Sequence, residues 1–568
     1  MSYSIGISAY FHESSVSVFH LGKLIGFARE EYFSRVKGDN SFPRLALEFY
    51  KDNLRLSDSD IDFVCFYEKP LRSFFTTLKG ALPFKEDAKE LVYNNIGSIK
   101  RSGLFFYSDI LNHFKITRKQ VLYCPHHVSH VLSCLPFMST LARHTAIVID
   151  GVGDSECSSV YLVDDNDIKL VDQIGYPHSL GLMYSAVTDF LGFNINDGEY
   201  KVMALAAYGR ATFEEEFDEL VGNGPRKLNL SAFNFYRSIK SSFSHSFIDC
   251  FGDPIDKLSP YPKIRSAEFQ RAADIAFAAQ RYLEKSVVKI FEDAYRMTGE
   301  SNFSFSGGVA LNSKLVSVLI ENSFVGSLFV PPCPGDSGAA VGAGVFASMC
   351  AGYSGRASVS PFLGPDVREI NQVDLKDHFL ELHDGTKSVW STTAELVNEG
   401  EIIALVDGGA EVGPRSLGHR SLLCDPRNEE AVTALSERLK GREEFRPLAP
   451  ACLESEVEEW FVTNIKAVDV YKWMGTVVTP TSKCKKILPA INHVDNTARL
   501  QSVEPGNQAL FSLLTEFHSL TACPVLVNTS FNSGGDPIVL DEQDAITTAL
   551  RMGLKYMVLS KKLYRVIQ

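Results

Sequence analysis

Strand-forming and helix-forming patterns alternate along the first 350 residues. Residues 4–30 read SIGISAY, then FHESS, then VSVFHLGKLIGFARE. These are apolar, β-rich runs broken by one polar loop and one small-residue turn, so strand, loop, strand, tight turn, strand is expected. Residues 145–174 repeat that grammar as TAIVIDG, VGDSE and CSSVYLVDDNDIKLVDQI. From Ser266 to Met297, the apolar residues Phe269, Ala272, Ala273, Ala276, Ala279, Leu283 and Val287 fall at helical spacing and predict one long packing helix. The stretch NNIGSIKRSGLFFYSDILNHFK over 94–115 also reads as helical.

Two copies of a strand followed by a small, polar hairpin argue for a duplicated α/β domain whose hairpins face a shared cleft. The arrangement resembles the actin, sugar-kinase and Hsp70 type of ATPase fold. After GAGVFASMCAG the composition turns to Gly, Ser and Pro, which places a linker at 356–370 between a first domain, 1–355, and a second, 371–568. A chain of 568 residues exceeds what one core supports, in keeping with that division.

Charge and cysteine usage narrow the function classes. A net charge of −13 gives no global attraction to nucleic acid or anionic membrane. The eleven cysteines are scattered, odd in number and without a CxxC pair, as expected of reduced thiols. MSYSIGISAYF has no basic leader, and no run of about 18 apolar residues offers a membrane span, so a soluble cytoplasmic protein is expected.

Four separated stretches carry candidate chemistry: PHHVSHVLS at 125–133, VIDGVGD at 148–154, SGGVALNSKL at 306–315 and VPPCPGDSGAAVG at 330–342. On a helix, the i, i+4 spacing of HHVSH puts His126 and His130 on one face, while His127 reads as an ordinary helix histidine. Asp150 ends the apolar run AIVI, and Asp336 follows SLFV in a Pro/Gly loop. Both carboxylates can reach the same cleft and complete a site of two His and two Asp. Mixed nitrogen and oxygen ligands suit a divalent metal, iron(II) first, with manganese or zinc as alternatives. The glycines of SGGVALN suggest a phosphate seat beside it.

The second domain is dense in arginine. GGAEVGPRSLGHRSLLCDPR at 408–427, LKGREEFRPLAP at 439–450, HVDNTARLQSV at 493–503 and PVLVNTSFNSGGDPIV at 524–539 bring Arg415, Arg420, Arg446, Arg499 and Asn528 into apolar surroundings. Guanidinium forks bind oxyanions and Asn adds directed hydrogen bonds, a combination suited to a small phosphorylated anion.

Together with FHESS, SLGLMYSAVTDFLGF and GEYKVMALAAYG, these motifs resemble the O-carbamoyltransferases of antibiotic biosynthesis and nodulation-factor modification over nearly the whole chain. The resemblance implies a two-domain enzyme. Its N-terminal domain is like the tRNA threonylcarbamoyl transferase, and its C-terminal domain forms carbamoyl adenylate from carbamoyl phosphate and ATP, with magnesium accompanying the nucleotide. It matches His126, His130, Asp150 and Asp336 to metal ligands. Lys201, Gly307, Gly308 and Asn312 match nucleotide-binding positions. Arg415, Lys440, Arg446, Arg499 and Asn528 match the carbamoyl phosphate pocket, and His12 matches a histidine near the transfer site; an ordinary histidine pKa close to working pH makes it the candidate for deprotonating the acceptor hydroxyl.

The chain departs from the family pattern at REEFRPLAP, where relatives read REPFRPFAP, and at FGDPI (251–255), where they read FG-x-P-R. The second change falls where an acceptor is expected, between FHESS and the segment Gly222 to Pro262, whose aromatic and polar side chains suit a polar ring. The acceptor reading is a sugar-like or nucleoside-like hydroxyl. A hydroxymethylated pyrimidine in nucleotide or DNA is the alternative, and nucleic acid is not favoured, although Lys69 to Lys119 interleaves basic and aromatic residues. Of two other classes, an actin-like kinase or ATPase leaves HHVSH and the arginine-rich domain unexplained, and a non-catalytic metal- and nucleotide-binding module is separated from the transferase by pyrophosphate release that depends on carbamoyl phosphate. The oligomeric state stays open, a homodimer being one option.

Overall fold

The structure, a computed structural model, describes residues 2–81, 105–138, 143–165, 167–222, 224–238, 241–356, 359–369, 379–382 and 387–567. The helix expected over 94–115 lies outside that set as far as residue 104, and its described part is a helix at Phe106–Leu111. The basic and aromatic stretch from Lys69 to Lys119 is likewise described only in part.

The chain divides into two units, residues 1–25 with 40–359, and residues 26–39 with 360–568. In the first, apart from the last four residues of β3, β1 (Tyr3–Ser8), β2 (Ser15–His20), β3 (Lys23–Arg29), β4 (Ile61–Phe66) and β5 (Val121–Tyr123) form a sheet in the order β3-β2-β1-β4-β5. β6 (Arg143–Ile149), β7 (Glu156–Asp164), β8 (Asp167–Gly175), β9 (Asn302–Ser306) and β10 (Ser327–Phe329) form another in the order β10-β9-β6-β7-β8. β1 is antiparallel to β2 and parallel to β4. β6 is likewise antiparallel to β7 and parallel to β9. The same strand order and directions in both sheets make this a duplicated actin-like α/β fold, as the repeated grammar predicts. The central strands β1 and β6 are almost wholly buried, with small Ser and Gly residues between the apolar positions of β1 and the apolar run AIVI ending β6.

The predicted long helix spans Ala267–Thr298 and buries all seven of the apolar positions named for it. Ser266 caps its start by accepting from the Phe269 amide at 3.1 Å, and Gly299, at φ +69°, ends it. A second helix, Asp336–Cys350, is rich in Gly and Ala because its backbone meets other backbone. A β-carbon at Gly342 would stand 1.6 Å from the Ser129 carbonyl oxygen, inside the helix His126–Ser133.

The second unit is built on an eight-stranded mixed sheet. Its order is Phe379–Glu381, Lys562–Val566, Tyr556–Leu559, Ile403–Val406, Arg420–Cys424, Val525–Ser530, Ala449–Leu453 and Gln501–Val503. Asn528 lies opposite Leu423 on one side and Ala449 on the other, and Ala451 pairs with Gln501.

One segment departs from the expected boundaries. Residues 26–39, read from sequence as part of 1–355, count with the second unit. Phe27 donates its amide to the Leu363 carbonyl at 3.0 Å, buried Tyr32 donates its hydroxyl to the Glu411 carbonyl at 3.1 Å, and Arg35 pairs with Asp544 at 2.9 Å. A buried phenol and buried amides need partners, and theirs are distant in sequence. Part of the expected linker is also ordered by that unit: Gly364 and Val367 donate to the carbonyls of Ala410 and Gly408.

Candidate functional site

The helix His126–Ser133 starts after Pro125, and its i, i+4 spacing brings both ring nitrogens to one point: His126 Nε2 and His130 Nε2 are 3.1 Å apart. Asp150, just beyond β6, sends Oδ2 to within 3.2 Å of His126 Nε2 and 3.1 Å of His130 Nε2. Its Oδ1 accepts from the amides of Gly151 at 2.7 Å and Gly308 at 3.3 Å, which fixes the carboxylate. Asp336 opens its helix with Oδ1 at 3.3 Å from His130 Nε2 and 3.7 Å from His126 Nε2. The four ligand atoms lie within 4.8 Å of one another.

The residues fit a cation. Asp336 Oδ1 is buried and completes no hydrogen bond of good geometry, an acceptor left for something else. Burial acts to lower the pKa of His126, but the Asp150 hydrogen bond and the charges of Asp336, Asp150 and Glu68 outweigh it and hold the ring up to about 10. A site negative enough to protonate a buried imidazole favours a bound cation, and two nitrogens with two oxygens suit a borderline divalent metal. Around it, Asp154 accepts from the amides of His126 and Lys69, and the Tyr67 ring lies 5.2 Å from the His126 ring. His127 turns away to Ser159 Oγ at 2.7 Å, as read from sequence.

His12 follows β1 at the same cleft. Burial lowers its pKa, but the carboxylates of Glu13, Asp336, Asp150 and Glu199 raise it more, so the net shift is upward. Gly307 has φ +89°, and a β-carbon there would meet the Ile149 carbonyl at 2.3 Å, so only glycine serves at this turn. Lys201 lies in the helix Glu199–Ala206 with Nζ 5.4 Å from the Phe193 ring centre. Asn312 caps the helix Ser313–Glu321 through Oδ1 and exchanges two hydrogen bonds with Gln280.

The aromatic residues expected to line an acceptor pocket over Gly222 to Pro262 largely face one another. Phe243, Phe247 and Phe251 cluster on Phe190 at 5.0–6.4 Å, and Tyr261 stacks on Phe193 at 4.7 Å. A segment with little regular structure builds its own core from such rings. Ile255, at the departure FGDPI, is buried against Gly192 and donates its amide to the Phe190 carbonyl at 3.0 Å.

In the second unit the loop after Glu411 is held by that carboxylate, which accepts from the amides of Leu417, His419 and Arg420 at 2.8–3.2 Å. Arg415 is buried with Nη1 3.3 Å from the Trp473 carbonyl. Asn528 donates to the Ser416 carbonyl at 3.2 Å and to Gln501 Oε1 at 2.7 Å. The sheet register brings Arg446, Arg499 and Asn528 toward one end, since Ala449 faces Asn528 while Ala451 faces Gln501. Lys440 is buried, and burial with the nearby charges of Arg442, Arg446 and Lys37 drives its pKa well down. Its Nζ donates to the carbonyls of Ser530 and Asn532 at 2.7 and 2.8 Å.

Arg420 departs from its expected role as an anion ligand. It is fully buried, and its guanidinium donates to the carbonyls of Leu540, Asp407, His419, Pro365 and Gly408 at 2.9–3.3 Å. Glu411, Gln501 and Arg442 were not singled out from sequence. Their roles depend on partners such as Leu417, Asn528 and Thr529 that no local motif announces.

Actin-like halves with a buried cluster of two His and two Asp, in one chain with an arginine-rich α/β unit, are the parts of a two-unit transferase. The chain belongs to the carbamoyltransferase family: residues 3–345 match the carbamoyltransferase N-terminus and residues 394–565 the carbamoyltransferase C-terminus. It is therefore a carbamoyltransferase enzyme. It is 32% identical to an uncharacterized protein of Synechocystis sp., over 98% of this chain and 96% of that protein. Identity to the nodulation protein NolNO of Sinorhizobium fredii is 29%, over 98% of this chain and 79% of that protein. Identity to NolO of Bradyrhizobium diazoefficiens is 31%, over 78% of each. Likeness to solved structures is remote. HypF of T. kodakarensis gives a TM-score of 0.34 at 15% identity, over 62% of this chain and 48% of that one. Component A of (R)-2-hydroxyglutaryl-CoA dehydratase from Acidaminococcus fermentans gives 0.31 at 13%, over 62% and 100%. Among the described residues no helix is long and apolar enough to cross a membrane.

Proposed function

We propose that this enzyme uses ATP to move the carbamoyl group of carbamoyl phosphate, through carbamoyl adenylate, to a hydroxyl of a small sugar-like or nucleoside-like acceptor. The observation that carries the reading is the convergence of His126, His130, Asp150 and Asp336, with Gly308 hydrogen-bonded to the same Asp150. Arg415, Arg446, Arg499 and Asn528 hold carbamoyl phosphate, with Lys440 donating to and bracing the Ser530–Asn532 turn.

In the second unit carbamoyl phosphate gives up phosphate to water and leaves carbamate. Carbamate is a poor electrophile because its anionic oxygen donates into the carbonyl. That oxygen attacks the α-phosphorus of ATP, so an O–P bond forms, pyrophosphate leaves, and the carbamoyl carbon gains AMP as a leaving group. In the first unit the acceptor hydroxyl attacks this carbon, His12 takes the hydroxyl proton, and AMP departs with the electrons of the broken C–O bond. In the first unit Lys201, Gly307, Gly308 and Asn312 hold the nucleotide of the adenylate, and magnesium accompanies the triphosphate of ATP in the step before. A divalent cation held by His126, His130, Asp150 and Asp336, with iron(II) the first choice, would supply Lewis acidity toward phosphate charge.

Pyrophosphate release from ATP that requires carbamoyl phosphate tests the first half, and its absence would rule out the adenylate route. A mass-spectrometric screen of hydroxylated metabolites for the added carbamoyl mass tests the second. Labelling of polymeric DNA without labelling of free sugars or nucleosides would replace the acceptor class with a hydroxymethylated pyrimidine.

A further inference from the structure

The motif HVDNTARLQSV supplies Arg499 to the proposed chemistry and leaves His493 and Asp495 without a part in it. The loop they open closes on itself ahead of the arginine. Asp495 Oδ1 accepts from the Thr497 amide at 3.1 Å and from the Thr497 hydroxyl at 2.6 Å, and the His493 amide donates to the Thr497 carbonyl at 3.0 Å. Asn496 takes φ +59° at the bend. Ala498 exchanges two backbone hydrogen bonds with Val478, both 2.9 Å, so Arg499 leaves the loop from a fixed point.

The His493 side chain, 10% exposed, reaches out of this loop to another arginine motif, 48 residues earlier. Its Nε2 lies 3.1 Å from the Phe445 carbonyl oxygen. A carbonyl only accepts, so Nε2 carries the proton and donates it. On the other side of the ring, Nδ1 is 3.6 Å from Asp495 Oδ1, a charge that favours this orientation. The carbonyl belongs to the peptide unit that joins Phe445 to Arg446. The N–H of the same unit donates to the Glu443 carbonyl at 3.0 Å, and the Arg446 guanidinium pairs with the Glu443 carboxylate at 3.0 Å. Those two contacts lie within one turn and travel with it. The His493 bond runs instead from that turn to the loop of Arg499. Pairing between the two strands that follow begins only at Ala451 and Gln501, beyond both arginines. Guanidinium forks are demanding in geometry, so two of them serve one small anion only if their backbones keep a set spacing.

We propose that His493 is a positioning residue for carbamoyl phosphate, holding the Arg446 turn against the Arg499 loop so that both guanidinium groups meet one phosphate. This rests on the reading of Arg446 and Arg499 as carbamoyl phosphate ligands.

The test is calorimetric titration of the full-length protein with phosphonoacetamide, in which a CH2 group replaces the bridging oxygen of carbamoyl phosphate. His493→Ala should raise Kd about three- to tenfold, the order expected from one neutral hydrogen bond. His493→Gln, whose amide nitrogen can stand where Nε2 stands, should bring Kd back to within about twofold of the parent. Arg446→Ala should also weaken binding, and the double variant should bind no worse than Arg446→Ala alone, because His493 acts through that residue. Unchanged binding by His493→Ala, or equal loss in His493→Ala and His493→Gln, would overturn the proposal and leave the arginine reading standing. Losses that multiply in the double variant would overturn it as well, since His493 would then act elsewhere. Unchanged binding by Arg446→Ala, or no binding by the parent, would remove the arginine reading and the proposal with it. If His493→Ala does not fold, His493→Phe, which keeps a ring and lacks the donor, takes its place, and the same outcomes support or overturn the proposal.

Discussion

Gly342 faces the carbonyl oxygen of Ser129 so closely that a β-carbon would stand 1.6 Å from it. The helix opening with Asp336 therefore meets the histidine helix backbone to backbone, and the two sides of the ligand set depend on that approach. Gly342→Ala should force the helices apart, cost about 1–3 kcal/mol or more, and weaken metal retention. Thermal unfolding with metal analysis checks both, and an unchanged melting temperature with full metal would contradict the packing argument.

His126→Ala and Asp336→Ala should each lose the bound divalent ion. Removing a supporting residue of a metal site costs roughly 10- to 100-fold in affinity, and loss of a ligand should exceed that. Elemental analysis of purified variants decides, and full occupancy in both would show that the four residues do not hold the metal.

The half-reactions should separate by unit. Arg446→Ala and Arg499→Ala should abolish carbamoyl-phosphate-dependent pyrophosphate release, as loss of a charged anion contact costs several kcal/mol. His12→Ala should spare that release and slow transfer to the hydroxyl. Equal loss of the same step in all three variants would refute the division of labour.

Arg420 is the contrasting arginine. Arg420→Ala removes five hydrogen bonds to backbone carbonyls, of which only those of Gly408, His419 and Pro365 keep a backbone donor, so the second unit should lose about 3–5 kcal/mol. A drop in the denaturation midpoint is expected in the absence of any substrate. A variant of normal stability that is defective only in carbamoyl phosphate use would return Arg420 to the substrate pocket.

The convergence of the two His and two Asp was legible because its elements are local: i, i+4 on a helix for His126 and His130, and strand or loop ends for Asp150 and Asp336. The duplication was legible because β1–β3 and β6–β8 carry the same apolar and polar alternation. Arginine roles were not. Arg420 and Arg446 stand in similar motifs, yet one meets backbone carbonyls as distant as those of Leu540 and Pro365, and the other pairs with Glu443, three residues away, at 3.0 Å. The Phe-rich segment misled for a related reason, since aromatic content alone does not say whether rings face a ligand or one another.

His419 should make the second unit sensitive to acid. Its ring stacks on Phe362 at 3.7 Å and Nδ1 donates to the Gly409 carbonyl at 2.7 Å. Burial lowers its pKa, against the raising effect of Glu411 and the Gly409 bond. The folded state thus favours the neutral ring, whereas the unfolded chain takes up a proton below the ordinary value of 6.5. This contribution is complete above that value and is lost as the pH falls below it. Denaturation midpoints at pH 7.5 and about 5.5 should differ less for His419→Gln than for the parent, and equal differences would remove His419 as the cause.

The excursion of residues 26–39 into the second unit also sets an order of events during synthesis. Tyr32 leaves the ribosome 379 residues before Glu411, whose carbonyl receives its hydroxyl. At roughly 5–20 residues per second that is a wait on the order of 20 to 80 seconds. The early chain must fold around a segment whose partners do not yet exist, so the second unit is closed by a piece made almost first.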